Sequence, residues 1–142
     1  MITIGAESLE AIRRHGESDY PHECCGLLIG SFHPSGAKVV DEIVPIGNAR
    51  EEDAKRNRFL IAPDDMMRGE RYARAKGRDV LGFYHSHPDH PAVPSAFDVE
   101  HAWPVYSYVI VSVRSGRAED LLSFELRSDR SRFDAEDLSK GP

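Results

Sequence analysis

The stretch from Val80 to Pro94 constrains this chain more than any other. Val80-Leu81-Gly82-Phe83-Tyr84-His85 is an apolar run of strand length, and it passes straight into Ser86-His87-Pro88-Asp89-His90-Pro91-Ala92-Val93-Pro94. Proline lacks the amide proton that a helix or a sheet ladder needs. Pro88, Pro91 and Pro94 therefore forbid regular structure from there to Ser95. Any fold of this chain must end an apolar strand, with its histidines, beside a rigid polar loop.

The other elements are arranged around that break. Ala6 to Arg14 reads as a helix with Leu9, Ala11 and Ile12 on one face, and Gly16 as its stop. After Pro21, Glu23 to Gly30 reads as a short buried strand. Pro34-Ser35-Gly36 is a turn, and Val39 to Ile46 is its hairpin partner. The charged segment Asn48 to Arg56 reads as a loop and Phe59-Leu60-Ile61 as a short strand. Pro63-Asp64-Asp65 suits a helix N-terminus, and that helix runs from Pro63 to Ala75, closed by Gly77. Ala96 to Ala102 is a short helix. Tyr106 to Val113 and Leu121 to Leu126 are strands joined through Ser115-Gly116. From Arg130 onward the chain is polar, which predicts a loose C-terminus with at most a short helix. The order is not a regular βαβ alternation, so the expected class is α+β: a mixed α/β sandwich in one domain spanning residues 1–142.

Composition excludes several classes. A chain of 142 residues can bury a core without disulfides or a structural metal. The formal charge of −6, with basic residues scattered, argues against nucleic acid or an anionic membrane as partner. The only cysteines, Cys24 and Cys25, are neighbours, with Cα atoms about 3.8 Å apart, poorly placed for a relaxed disulfide. No secretory signal and no apolar run of the roughly 20 residues that span a bilayer are present, so the expected compartment is the reducing cytoplasm.

The chemistry lies in residues 85 to 98. His85 and His87 are two apart at a strand end, so both imidazoles point to the same side. Two neutral imidazoles make half of a zinc site, and Asp98 can return a carboxylate after the proline-rich loop. Two histidines and one carboxylate leave a fourth position for water, the arrangement of catalytic zinc. Glu23, at the mouth of an apolar strand, can accept a proton from that water. The Ser95 hydroxyl can face a developing oxyanion. Each residue has a plainer reading. Asp98 or Ser95 can cap the following helix, Glu23 can be a solvated acid, and a lone His-x-His can be surface chemistry.

Together, Glu23, His85, His87, Ser95 and Asp98 form the pattern Glu…His-x-His-x7-Ser-x2-Asp with no position missing. That pattern resembles the motif of the JAMM (MPN-plus) zinc metallopeptidases. Pro21-His22-Glu23-Cys24-Cys25-Gly26-Leu27-Leu28-Ile29-Gly30 is similar to the family's first motif. The resemblance implies the MPN fold, a curved, mostly antiparallel sheet flanked by helices. It implies a hydrolase with one catalytic Zn2+ held by His85, His87 and Asp98. Glu23 would be the general base and acid, and Ser95 the oxyanion donor.

The compact chain looks most like the stand-alone prokaryotic branch, also through Asn48-Ala49, Arg58-Phe59 and Gly82 to Pro88. The implied substrate is a ubiquitin-like sulfur-carrier protein, cut at an amide bond at its C-terminus. The alternatives are a deubiquitinase-like isopeptidase on protein conjugates and a non-catalytic MPN binding scaffold. The sequence leaves the oligomeric state open. Elsewhere, His90 reads as a solvated loop residue and Ser86 as structural support. Cys24 and Cys25 read as buried strand residues. Trp103, Tyr106 and Tyr108 read as core or sheet-face residues; His15, His22, His33 and His101 have no supporting motif.

Overall fold

The computed structural model of the chain describes residues 1–47 and 61–141. In chain order the elements are β1 (Ile2–Ile4), α1 (Ala6–Asp19), β2 (Cys25–Phe32), β3 (Lys38–Ile46), α2 (Pro63–Ala75) and β4 (Asp79–Pro88), followed by α3 (Ala96–His101), β5 (Ser107–Arg114), β6 (Arg117–Leu126), β7 (Phe133–Glu136) and β8 (Leu138–Ser139). The strands form one eight-stranded sheet in the order β7-β6-β5-β4-β2-β3-β1-β8. Four strand pairings are antiparallel and three parallel. The expected α+β class is present: a mixed sheet with helices on both faces.

Each face has its own core. Ile2, Leu9, Ile12, Leu28, Tyr84, Val109 and Val111 pack under α1. Leu27, Ile29, Ala73, Phe83, Ala102 and Tyr108 pack under α2 and α3. Strands covered on both faces need not alternate polar with apolar, and β4 is buried from Leu81 to Pro88. A register shift in the β2–β4 pairing moves from Leu28↔Gly82 to Ile29↔Val80, so Leu81 is the extra residue of a bulge. The bulge turns Leu81 to the α1 face while Phe83, His85 and His87 keep the other.

The parallel pair β4–β5 needs a crossover connection rather than a tight turn. The proline-rich loop and α3 are that connection, so they lie at the carboxyl end of β4. Hydrogen bonds from main chain and side chain tie the loop down. Asp89 N–H donates to the Val113 carbonyl at 2.7 Å, and the Ser112 hydroxyl to the His90 carbonyl at 2.6 Å.

Three expectations are corrected. The first helix does not stop at Gly16 but runs to Asp19, ending before Tyr20, the residue whose helical conformation Pro21 disfavours. Gly16 is buried instead, and a Cβ there would meet Val113 Cγ2 at 2.9 Å, so glycine lets α1 approach the sheet. The C-terminus is not loose: β7 pairs with β6 at one sheet edge and β8 with β1 at the other. Main-chain pairing at an edge does not need an apolar sequence, which is why the polar segment concealed two strands. The strand expected to end at His85 runs on to Pro88, whose missing N–H falls at the last position of β4, so the irregular loop begins only after it. Ile2–Ile4 is a strand too short for a periodic signal. The helix expected over Pro63 to Ala75 is found at those bounds. The loop expected over Asn48 to Arg56 lies outside the described residues, as do Phe59 and Leu60; Ile61 belongs to no strand.

Candidate metal centre

The β2–β4 register builds the site. Cys25 pairs with His85, so the next positions set Cys24 beside Ser86 and Glu23 beside His87. Alternation then sends Cys25, His85, His87 and Glu23 to one face, and Cys24 and Ser86 to the other. Ligand atoms of Glu23, His85 and His87 lie within 4.8 Å of one another, and all three residues are buried. Asp98 arrives from α3 and is buried as well.

Ser86 supplies what the ladder lacks at this point. Its N–H donates to the Cys24 carbonyl at 3.2 Å, and its Oγ accepts from Cys24 N–H at 2.9 Å. A side chain thus takes a bond that a strand carbonyl would normally accept, and the chain can turn away from the ladder where Glu23 enters the site. The sequence marked Ser86 only as support; its partner comes from the sheet register.

The imidazoles and the Asp98 carboxylate converge. His85 Nε2 and His87 Nε2 are 3.2 Å apart. Asp98 Oδ1 is 3.3 Å from His85 Nε2, and Asp98 Oδ2 is 3.2 Å from His87 Nε2. Zinc with tetrahedral bonds of 2.0–2.1 Å has ligand-to-ligand edges of about 3.3 Å. The two imidazole nitrogens stand one such edge apart, and the Asp98 carboxylate spans the pair with one oxygen at each ring. His87 Nδ1 lies 2.9 Å from the Pro91 carbonyl, which can only accept. The proton of a neutral His87 is therefore on Nδ1, and Nε2 turns its lone pair to the site. The Pro91 carbonyl is a functional group that the sequence did not reveal.

Electrostatics favours the ligand forms. Burial holds the His85 pKa down, with Asp98 opposing. Burial pushes Asp98 upward, but His85, His87 and the Ser95 N–H outweigh it and hold the carboxyl well below its usual range. Burial pushes the Cys24 thiol up to about 12 and raises Cys25 too, so neither offers a thiolate at neutral pH.

Ser95 is the N-cap of α3. Its Oγ accepts from Asp98 N–H at 3.1 Å, while its own N–H donates to Asp98 Oδ2 at 2.8 Å. This reciprocal capping box aims the carboxylate at the histidines. The capping reading of Ser95 is therefore correct; Asp98 stands three residues inside the helix rather than at its cap. Capping uses an oxygen lone pair, so the O–H can still donate.

A groove of about 1080 Å³ leads to the site, lined near the centre by His85, Asp98 and Phe97. Further along its walls are Phe83, Tyr108 and Trp103. Trp103 corrects an expectation. It is 63% exposed, not a core residue. Tyr108 is buried, and its hydroxyl accepts the Trp103 N–H at 2.9 Å.

Among the described residues no helix is long and apolar enough to cross a membrane. Residues 5–127 match the family described as prokaryotic homologs of the JAB domain. The chain is 34% identical to a desampylase of Haloferax volcanii over 116 residues, 78% of this chain and 80% of that protein. It is 28% identical to a CysO-cysteine peptidase of Mycobacterium tuberculosis over 127 residues, 89% of this chain and 83% of that one. A solution structure from Desulfitobacterium hafniense superposes with a TM-score of 0.84 at 30% identity, covering 97% of this chain and 91% of that one. A JAB1/MPN domain protein from Archaeoglobus fulgidus shares the fold, with a TM-score of 0.59 at 20% identity over 98% and 95% of the two chains. With its fold, its histidine pair and a family match over most of its length, this chain belongs to the prokaryotic JAB-domain family, the stand-alone branch of the JAMM/MPN proteins.

Proposed function

We propose that this protein is a zinc metallopeptidase that hydrolyses an amide bond at the C-terminus of a ubiquitin-like carrier protein in the cytoplasm. The observation that carries the reading is the convergence of two buried imidazoles and the Asp98 carboxylate, with a second carboxylate, Glu23, beside the same pair. His85, His87 and Asp98 would hold the ion. When bound, zinc supplies a nucleophile at neutral pH and polarises the scissile carbonyl. Glu23 takes a proton from the attacking water and delivers it to the nitrogen as the C–N bond breaks. The Ser95 hydroxyl donates to the oxyanion that forms when water adds to the carbonyl. Water becomes the new carboxylate oxygen, and the amine departs with the proton from Glu23.

The substrate class is supported by a relative whose name makes it a peptidase on CysO-cysteine, and by a groove long enough for an extended tail. The complete donor set argues against a binding-only scaffold. Metal analysis tests the centre: about one zinc per chain is expected in the wild type and none in the His85→Ala/His87→Ala double variant. Glu23→Gln should keep its zinc and lose about a hundredfold or more in turnover. Full activity in that variant would remove Glu23 from the mechanism. Product mass separates a released amino acid from a released protein, and so the carrier peptidase from the isopeptidase.

A further inference from the structure

The groove meets the metal centre from one side only. His85 and Asp98 line it, whereas Glu23 and His87 do not. On the mechanism proposed above, on which this inference rests, the leaving amine departs towards Glu23. The acyl side of the bond therefore takes the groove. Asp79, at the head of β4, lines its far end. Asp79 lies six positions before His85 on β4, so the groove follows the strand for roughly 20 Å. An extended tail of about six residues spans that length, and the folded body it belongs to must then meet the far rim.

That rim is built for contact. β5 runs parallel to β4 with Ser107 opposite Gly82, so the residues before Ser107 lie towards the far end. Among them Trp103 is 63% and Val105 73% exposed, and Phe32, also exposed, lines the same groove. Val105 has φ 85°, a left-handed backbone that β-branched residues rarely adopt. Such strain persists where the surroundings impose it, and it is concentrated at functional sites. Here the hydrogen bond from Trp103 N–H to the Tyr108 hydroxyl helps to hold the loop. The Arg130 guanidinium lies 5.7 Å from the Trp103 ring centroid, which sets a cation beside the apolar surface of a chain whose net charge is −6. Exposed tryptophan paired with arginine is the composition of interface anchors.

We propose that Trp103, Val105 and Arg130 form the docking platform for the folded body of the carrier, which presents an apolar patch with an acidic neighbour. The tail then fills the groove towards the centre, and the body meets its outer end, where Trp103, Val105 and Arg130 also line it.

Two probes test this: a ubiquitin-fold carrier whose C-terminal Gly-Gly is amide-linked to a reporter amine, and the ten-residue peptide of its tail with the same reporter. Calorimetry with the zinc-loaded Glu23→Gln enzyme measures carrier binding without turnover. Trp103→Ala and Arg130→Ala should each weaken carrier binding, Trp103→Ala at least about tenfold. Hydrolysis of the tail peptide should fall much less than carrier binding, because the peptide meets Trp103 and Arg130 only where they line the outer groove. Equal losses on carrier and peptide would assign Trp103 to the tail channel and overturn the platform. Unchanged carrier affinity in both variants, or no carrier binding at all, would also overturn it. Carrier binding that depends on Trp103 without hydrolysis of either probe would support the platform and defeat the peptidase reading instead.

Discussion

Ser86 sits between the two histidines and faces away from them, yet its hydroxyl governs how Glu23 reaches the site. Ser86→Ala leaves Cys24 N–H without that acceptor inside the sheet. A loss of about 1–2 kcal/mol in stability is expected in chemical denaturation, with zinc content kept and turnover reduced. His15 shows a second residue-scale effect. Its Nδ1 is 2.7 Å from the Tyr84 hydroxyl, and burial holds its pKa below the ordinary value of 6.5, against the pull of Asp19. The unfolded chain therefore binds more protons than the folded one as pH falls below 6.5, and stability declines in that direction. Denaturation at pH 5 and pH 7.5 should show this loss, and His15→Gln should remove part of it. His15 stood in the sequence without any motif, because its significance depends on a tyrosine 69 positions away.

At the scale of elements, α1 and the sheet illustrate how local signals mislead. A glycine near the end of an apolar stripe reads as a helix stop, and Gly16 was expected to be one. It is instead buried where the helix lies tight against the sheet, at Val113 and Ser86. Gly16→Val would gain helix propensity but push α1 off the strand. A net destabilisation of about 1–3 kcal/mol is expected, read as a lower thermal midpoint. In α2 the local signals agreed with the packing. Pro63 and two acids open the helix, Gly77 with φ 67° follows its end, and the expected bounds hold.

For the molecule as a whole, residues 133–139 matter more than their polarity suggests. β7 lies at one edge of the sheet and β8 at the other, with only Asp137 between them. The sheet must therefore curl until its edges meet. The closure encloses a polar cluster. Lys38 Nζ donates to Ser107 Oγ at 2.7 Å and to Glu125 Oε2 at 3.0 Å, and Ser107 and Ser123 both donate to Glu136 Oε1. Lys38→Met would take from the buried Glu136 carboxylate one of its two cations, the other being the Met1 ammonium at 3.6 Å. A loss of about 3 kcal/mol is expected in urea unfolding, with metal content unchanged.

The sequence by itself determined the histidine pair, the returning Asp98, the strand that carries the histidines and the break that follows it. Those features are local: alternation sends His85 and His87 to one side, and Pro91 and Pro94 compel the loop that follows Pro88. Most helices and strands were legible for the same reason. What only the tertiary structure decided is how distant segments meet. The β2–β4 register brings Glu23 opposite His87, and the crossover through α3 aims Asp98 at both imidazoles. The closing strands, the Lys38 cluster and the exposed Trp103 depend on pairings between residues far apart in the chain. Side-chain periodicity reports which face a residue prefers, but it carries no information about which segment will cover that face.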